Sequence, residues 1–191
     1  IRERVFGEES GVELDRLLRL SLVELDVRSG RCRLPAPIRW FAERQMKNAG
    51  EPGEGEAILD RALDALSRVA AAARNMGMSS HRCRAVFAQE EANLLAAVAH
   101  GHKAENSLPE HGHCRAAEIA VHLSTYLIYT GRQGEAEETL QRGLVTARRL
   151  GSRPSEANTL QALGILSLRT DRLQEAEERY ADALNLYREI E

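Results

Sequence analysis

Apolar residues recur at helical spacing through most of the chain. Between Glu56 and Asn75, Ile58, Leu59, Ala62, Leu63, Leu66, Val69, Ala70 and Ala73 fall on one side of a long amphipathic helix, and Gly77 is its stop. Arg84 to His100 predicts a second helix with Val86, Phe87, Leu94, Leu95 and Val98 facing inward. Gly101 to Gly112, which contains Pro109, reads as a loop. The first fifty residues have a different texture. Glu13 to Leu22 places Leu14, Leu17, Leu18 and Leu20 at the spacing of a short amphipathic helix. Leu22 to Val27 then alternates with period two, Arg28-Ser29-Gly30 is a turn, and Arg31 to Leu34 alternates again. That pattern predicts a β-hairpin. Pro35-Ala36-Pro37 breaks it and opens a helix whose stripe is Ile38, Phe41, Ala42 and Met46, with Trp40 beside it. Glu51-Pro52-Gly53-Glu54-Gly55 has the composition of a linker.

From Ala117 to Glu191 one pattern is written twice. Gly131-Arg132-Gln133-Gly134-Glu135-Ala136-Glu137-Glu138 returns forty residues later as Asp171-Arg172-Leu173-Gln174-Glu175-Ala176-Glu177-Glu178. Ala117, Leu123, Thr130, Leu144 and Arg148 recur as Ala157, Leu163, Thr170, Leu184 and Arg188. A fixed period of this length means stacked helical hairpins that bury their apolar faces against one another. The second unit resembles the tetratricopeptide pattern, with Leu160, Leu163, Gly164, Ala176, Tyr180 and Ala183 at its hallmark positions. The first unit keeps Ala120, Leu123 and Ala136, but has Ser124 for the Gly, Leu140 for the aromatic residue and Gly143 for the last Ala. Small residues let antiparallel helices approach closely, and Leu163 and Tyr180 fill the groove between them. The expected fold is mainly α: tetratricopeptide-like antiparallel hairpins of an α-α superhelix, preceded by a winged-helix remnant with one β-hairpin. The expected organisation is a winged-helix tail at 1–50, a helical spacer and loop at 51–116, and two repeats of about 40 residues at 117–191.

Two stretches carry a second resemblance. Gly30-Arg31-Cys32-Arg33-Leu34-Pro35-Ala36-Pro37-Ile38-Arg39-Trp40-Phe41-Ala42-Glu43-Arg44 resembles the end of the winged-helix domain in bacterial STAND regulators, signal-transduction ATPases with an NB-ARC-type core. Phe87 to Ala97, with Glu91-Ala92-Asn93-Leu94 at its centre, resembles an element those regulators carry just before their repeats. The resemblance implies a transcriptional or signalling parent with a P-loop ATPase module upstream and ATP or ADP as its ligand. This chain itself has no GxxxxGK[ST] and needs no cofactor. In that family a His after the Leu contacts the nucleotide. Here Pro35 and Ala36 follow Leu34, and neither side chain can donate to a phosphate.

Composition narrows the class. Net charge is −3, which gives no global attraction to nucleic acid or an anionic membrane. No apolar run approaches the ~20 residues of a membrane span, and no signal peptide opens the chain. Cys32, Cys83 and Cys114 are widely spaced and odd in number, the usage of free thiols in a reducing cytoplasm. The chain begins at Ile1 and ends at Glu191 inside a helical pattern, as expected of a fragment of a longer protein, for which self-association is a possible consequence.

Candidate chemistry is sparse. His100, His102, His111, His113 and Cys114 lie within fifteen residues, with His81 and Cys83 nearby, and could offer nitrogen and sulfur to zinc. Their H-x-H spacing is a poor tetrahedral template, so a helix end and loop is the simpler reading. Glu135, Glu137, Glu138 and Glu175, Glu177, Glu178 recur at equivalent repeat positions in helix first turns, where they offset the macrodipole. Arg28, Arg31, Arg33 and Arg39 decorate the hairpin and could contact DNA, but Glu24 and Asp26 dilute their charge. No nucleophile constellation is present, so no enzyme is expected. The expected function is a non-catalytic sensor region that binds a protein or peptide. By resemblance, Thr125, Tyr129, Asn158, Gln161, Leu168 and Arg169 line its groove. A DNA-contacting winged helix and a zinc module at 100–114 are the alternatives.

Overall fold

The computed structural model describes residues 10–26, 31–38, 44, 54–103 and 110–190. The chain divides into two compact units, residues 1–61 and 62–191.

In the first unit, α1 (Ser10–Arg19) ends three residues before the expected Leu22. Ser21 takes a left-handed conformation, φ 54°, and lets Leu22 N–H reach back to the Leu17 carbonyl at 2.9 Å. β1 (Glu24–Asp26) and β2 (Arg31–Arg33) then pair antiparallel with Leu25 opposite Cys32. Glu24 and Arg33 stand directly opposite and form an ion pair at 3.1 Å, the cross-strand pairing that favours this register. Residues 36–38 are helical; Trp40, Phe41, Ala42 and Met46 lie outside the described residues.

Helices follow: α2 (Glu54–Asn75), α3 (His81–Lys103), α4 (Glu110–Tyr129), α5 (Gln133–Arg149), α6 (Arg153–Arg169) and α7 (Leu173–Ile190). In the second unit, α4–α5 and α6–α7 are antiparallel hairpins, and α3 runs antiparallel to α4 and packs on α5 as well. Phe87 of α3 stacks on Tyr126 of α4, ring centroids 5.3 Å apart, and near the other end of α3 Gly101 meets Ala116. The core is aliphatic: Leu63, Leu94, Ile119, Leu123, Leu127, Leu140, Leu160 and Leu166 are fully buried, with Phe87 as the one fully buried aromatic among the described residues.

Three crossings set how closely the helices approach. A Cβ on Gly101 would overlap the Ala116 methyl. One on Gly143 would stand 2.9 Å from Ala120 Cβ, and one on Gly164 would stand 2.9 Å from the Tyr180 ring. The first repeat carries a matched exchange at the last site: Ser124 and Leu140 replace Gly164 and Tyr180, so the larger small residue faces the narrower partner. Ser124 is buried and donates to the Val121 carbonyl at 2.9 Å, which satisfies its hydroxyl inside the helix.

α3 extends beyond the helix end expected at His100, and α4 begins before the repeat. The reason is long-range. Arg149 donates to the Gly101 carbonyl at 2.7 Å and to the His102 carbonyl at 3.2 Å, and so occupies the free carbonyls of the last turn of α3. Gly101 is a packing residue in the helix rather than its terminator.

The turns inside the two hairpins, at 130–132 and 170–172, repeat the same backbone and ion-pair scheme. Gly131 and Asp171 both have positive φ, 80° and 57°. Thr130 and Thr170 hydroxyls donate to carbonyls three and four residues back. Arg132 then reaches Glu91 of α3 at 2.7 Å and Glu135 at the start of its own helix; Arg172 reaches Glu137 of α5 at 3.0 Å and Glu175 at 2.9 Å. Each turn arginine therefore ties the second helix of its hairpin to the helix two before it. The Arg132 hydrogen bond holds the Glu135 carboxyl below its ordinary range.

α2 is held differently. Asp64 pairs with Arg115 at 3.1 Å, Ser67 donates to Glu118 at 3.0 Å, and Arg74 donates to His122 Nδ1 at 3.4 Å. The ascending order on both helices means that α2 runs parallel to α4. Burial, then the Arg74 charge, lowers the His122 pKa to about 4, so the ring is neutral and carries its proton on Nε2.

Two outcomes are expected. Gly101→Ala should lower stability in urea melts by about 1–3 kcal/mol through overpacking, whereas Gly134→Ala, which meets nothing within 4 Å, should be neutral or slightly stabilising. A His whose folded pKa is depressed is fully compatible with the fold above its unfolded pKa and costs stability as pH falls through the interval between the two. Between pH 6.5 and 4 the chain should thus lose about 2 kcal/mol, allowing for solvent at the half-buried ring, and His122→Gln should abolish that portion of the loss.

Candidate functional site

The candidate surface is built on α6. Ten of the seventeen residues of this helix are buried, because α4 and α5 pack on one side and α7 on the other. Beyond the first residues of the helix, only Asn158, Gln161, Ile165, Leu168 and Arg169 are exposed. Their spacing of three, four, three and one places them in a single stripe along the helix. Ile165 and Leu168 are 42% and 50% exposed, so the middle of the stripe is apolar and its flanks are polar.

The polar flank is organised from α7. The Tyr187 hydroxyl donates to Asn158 Oδ1 at 2.7 Å and lies 3.5 Å from Gln161 Oε1. Both amides are thereby turned with their oxygens toward the ring, which leaves their N–H₂ groups as outward donors. The apolar flank ends at Arg169, whose side chain is exposed.

The same stripe exists on α4 forty residues earlier, at Glu118, Val121, Thr125, Ile128 and Tyr129. It is less open. Val121, Thr125 and Ile128 are half-buried, and the Thr125 hydroxyl is taken by the Val121 carbonyl at 3.1 Å. Tyr129 is 49% exposed, with the Arg84 guanidinium over its ring at 5.6 Å. Arg84 is itself anchored to the Met78 and Ser79 carbonyls at 3.0 and 2.8 Å. Thr125 and Tyr129 therefore lie on α4, and Asn158, Gln161, Leu168 and Arg169 on α6, at corresponding repeat positions.

Five residues of this surface are missing from the sequence-based set: Glu118, Val121, Ile128, Ile165 and Tyr187. Ile165 is the repeat counterpart of Thr125, and a shift by forty finds it, as shifts from Asn158, Gln161 and Leu168 find Glu118, Val121 and Ile128. Tyr187 has no such signal, since its counterpart is the buried Ala147. The residues expected at repeat crossings, Leu123, Ala136, Leu160, Leu163, Gly164, Ala176 and Ala183, are all buried, and Tyr180 is half-buried against Gly164.

The other candidates do not gather. His100 is exposed, His102 is half-buried and its Nδ1 has no partner among the described residues, and Cys114 lies on the next helix. The side chains of His111 and His113 lie outside the described residues. Cys83 is buried beside Met78, 3.8 Å between sulfurs, and burial pushes its thiol pKa up, away from the thiolate that a metal needs. Among the described residues no three His, Cys, Asp or Glu side chains form a group that could hold a metal ion, and no helix is long and apolar enough to cross a membrane. Glu135 is engaged by Arg132, and Glu137 and Glu175 by Arg172, so these three carboxylates serve the turns.

No curated protein and no solved structure matches the chain. A family model does match part of it: residues 115–189, from within α4 to the last turn of α7, are similar to the tetratricopeptide repeat, a helical-hairpin repeat that generally mediates protein interaction.

Proposed function

We propose that the stripe on α6, continued on α4, is a docking groove for a peptide or helix, and that the chain is the sensor region of a signal-transducing ATPase regulator of the STAND type. The observation that carries the groove is the exposure of the apolar Ile165 and Leu168 on a helix whose other apolar residues between Ala157 and Leu166 are buried. An apolar centre flanked by the amide donors of Asn158 and Gln161 and by Arg169 fits an amphipathic segment whose apolar side chains fill the middle. Carbonyl oxygens or a carboxylate on that segment would meet the polar flanks. The tetratricopeptide match supports protein interaction through first helices, which are α4 and α6 here.

The regulator context rests on the two resembling stretches, 30–44 and 87–97. The first includes β2 of a hairpin that follows a helix, the order of a winged domain's tail. In that setting a partner seated on α6 would bias the state of an upstream ATPase module, and ATP or ADP would bind that module rather than this chain.

A display selection of amphipathic peptides on the purified chain tests the groove. Leu168→Asp and Ile165→Asp should each weaken the selected peptides about tenfold or more, the effect of losing a buried apolar anchor. Asn158→Ala should weaken them less and release Tyr187. Peptides that bind all three variants as tightly as the parent chain would place the site elsewhere.

A further inference from the structure

A second surface is visible once the repeats are superposed by number. On α5, Glu137, Leu144 and Arg148 form the face that receives the next hairpin. Glu137 pairs with Arg172 at 3.0 Å, Arg148 donates to Glu156 at 2.8 Å, and Leu144 is 3% exposed between them. Forty residues on, α7 repeats the same three residues as Glu177, Leu184 and Arg188. There all three are exposed, Leu184 at 49%, and neither charge has an ion-pair partner among the described residues. Leu173 and Ala181 extend the exposed face, Leu173 at 65%.

The charge order on this face is self-complementary. α6 covers α5 antiparallel: it brings a glutamate near its N-terminus, Glu156, to the arginine at the far end of α5, and an arginine beyond its C-terminus, Arg172, to the glutamate at the near end. A second α7, laid antiparallel on the first, offers the same order, Glu177 early and Arg188 late. The spacing matches as well, since both charges of each helix are eleven residues, about 16 Å, apart. In this register Glu177 meets Arg188 of the other copy twice, by symmetry. Ala181 falls opposite Leu184, a small residue against a large one, so the helices can close on the apolar centre.

We infer that the exposed face of α7 is a self-association surface, on which a second copy of the chain docks antiparallel about a two-fold axis through Glu177–Arg188 pairs and Ala181–Leu184 contacts. The contact is one helix wide, so the dimer is a weak and reversible one. This surface is separate from the α6 stripe, and its fate does not depend on the peptide reading.

Sedimentation equilibrium on the full 191-residue chain tests it. A monomer–dimer equilibrium is expected between about 1 and 200 µM, the range of a small interface. Glu177→Arg and Arg188→Glu should each weaken the dimer about tenfold, because each reversal spoils two symmetric pairs. The double exchange Glu177→Arg with Arg188→Glu should restore the original affinity to within about threefold, because every pair is again opposite in sign. Circular dichroism melts should be unchanged for all three, since the residues are exposed. A chain that is monomeric throughout, a dimer indifferent to the single reversals, or a double exchange no better than the singles would overturn the assignment.

Discussion

The fold of residues 62–191 depends on how near its helices can come at three points. Gly101 against Ala116, Gly143 against Ala120, and Gly164 against Tyr180 leave no room for another carbon. Helices separated by more than the usual 8–10 Å would lose contact along the leucine rows that fill the space between them. The exchange of Gly164 and Tyr180 for Ser124 and Leu140 shows the constraint acting on a pair rather than on a single position. The ion pairs of the turns cannot supply the same stability. Arg132 and Arg172 are each about a third exposed, at 34% and 37%, where such pairs contribute roughly 0–1 kcal/mol. Packing holds the array, and the turn arginines select its register.

That division explains why α6 is the platform of the proposed groove. A helix covered by α4 and α5 on one side and α7 on the other keeps a single free stripe. Whatever is exposed there is presented by a rigid element and costs little ordering on binding. Tyr187 strengthens the arrangement by orienting Asn158 and Gln161 from the neighbouring helix. The α4 stripe, by contrast, spends its threonine on its own backbone and sets Tyr129 under an arginine, so it extends the surface rather than centring it.

The repeat was legible because its features are local. Gly131-Arg132-Gln133-Gly134 and its echo announce a turn and a helix start within eight residues, and the helical spacing of leucines supplies the rest. The β-hairpin was legible for the same reason, by alternation about a glycine turn. What escaped depends on distant atoms. Gly101 reads as a helix stop until Arg149, forty-eight residues away, occupies its carbonyl. Ile165 comes to the surface only because α4, α5 and α7 take the other sides of α6. Six residues of the candidate surface are named by resemblance to first helices, but the tyrosine that orients two of their amides belongs to α7 and stands where the first repeat has Ala147.

Close packing surrounds α6, which should be the most firmly held helix of the array, whereas α2 buries Leu63, Ala70 and Ala73 on one face, joins α4 through three polar side-chain pairs and should be the least. Native-state hydrogen exchange reads this directly. The amides of α6 should exchange only through global unfolding, at the slowest rate in the chain, and those of α2 should open earlier with a smaller dependence on denaturant. An α6 that exchanges as fast as α2 would contradict the claim that a rigid helix presents the docking stripe.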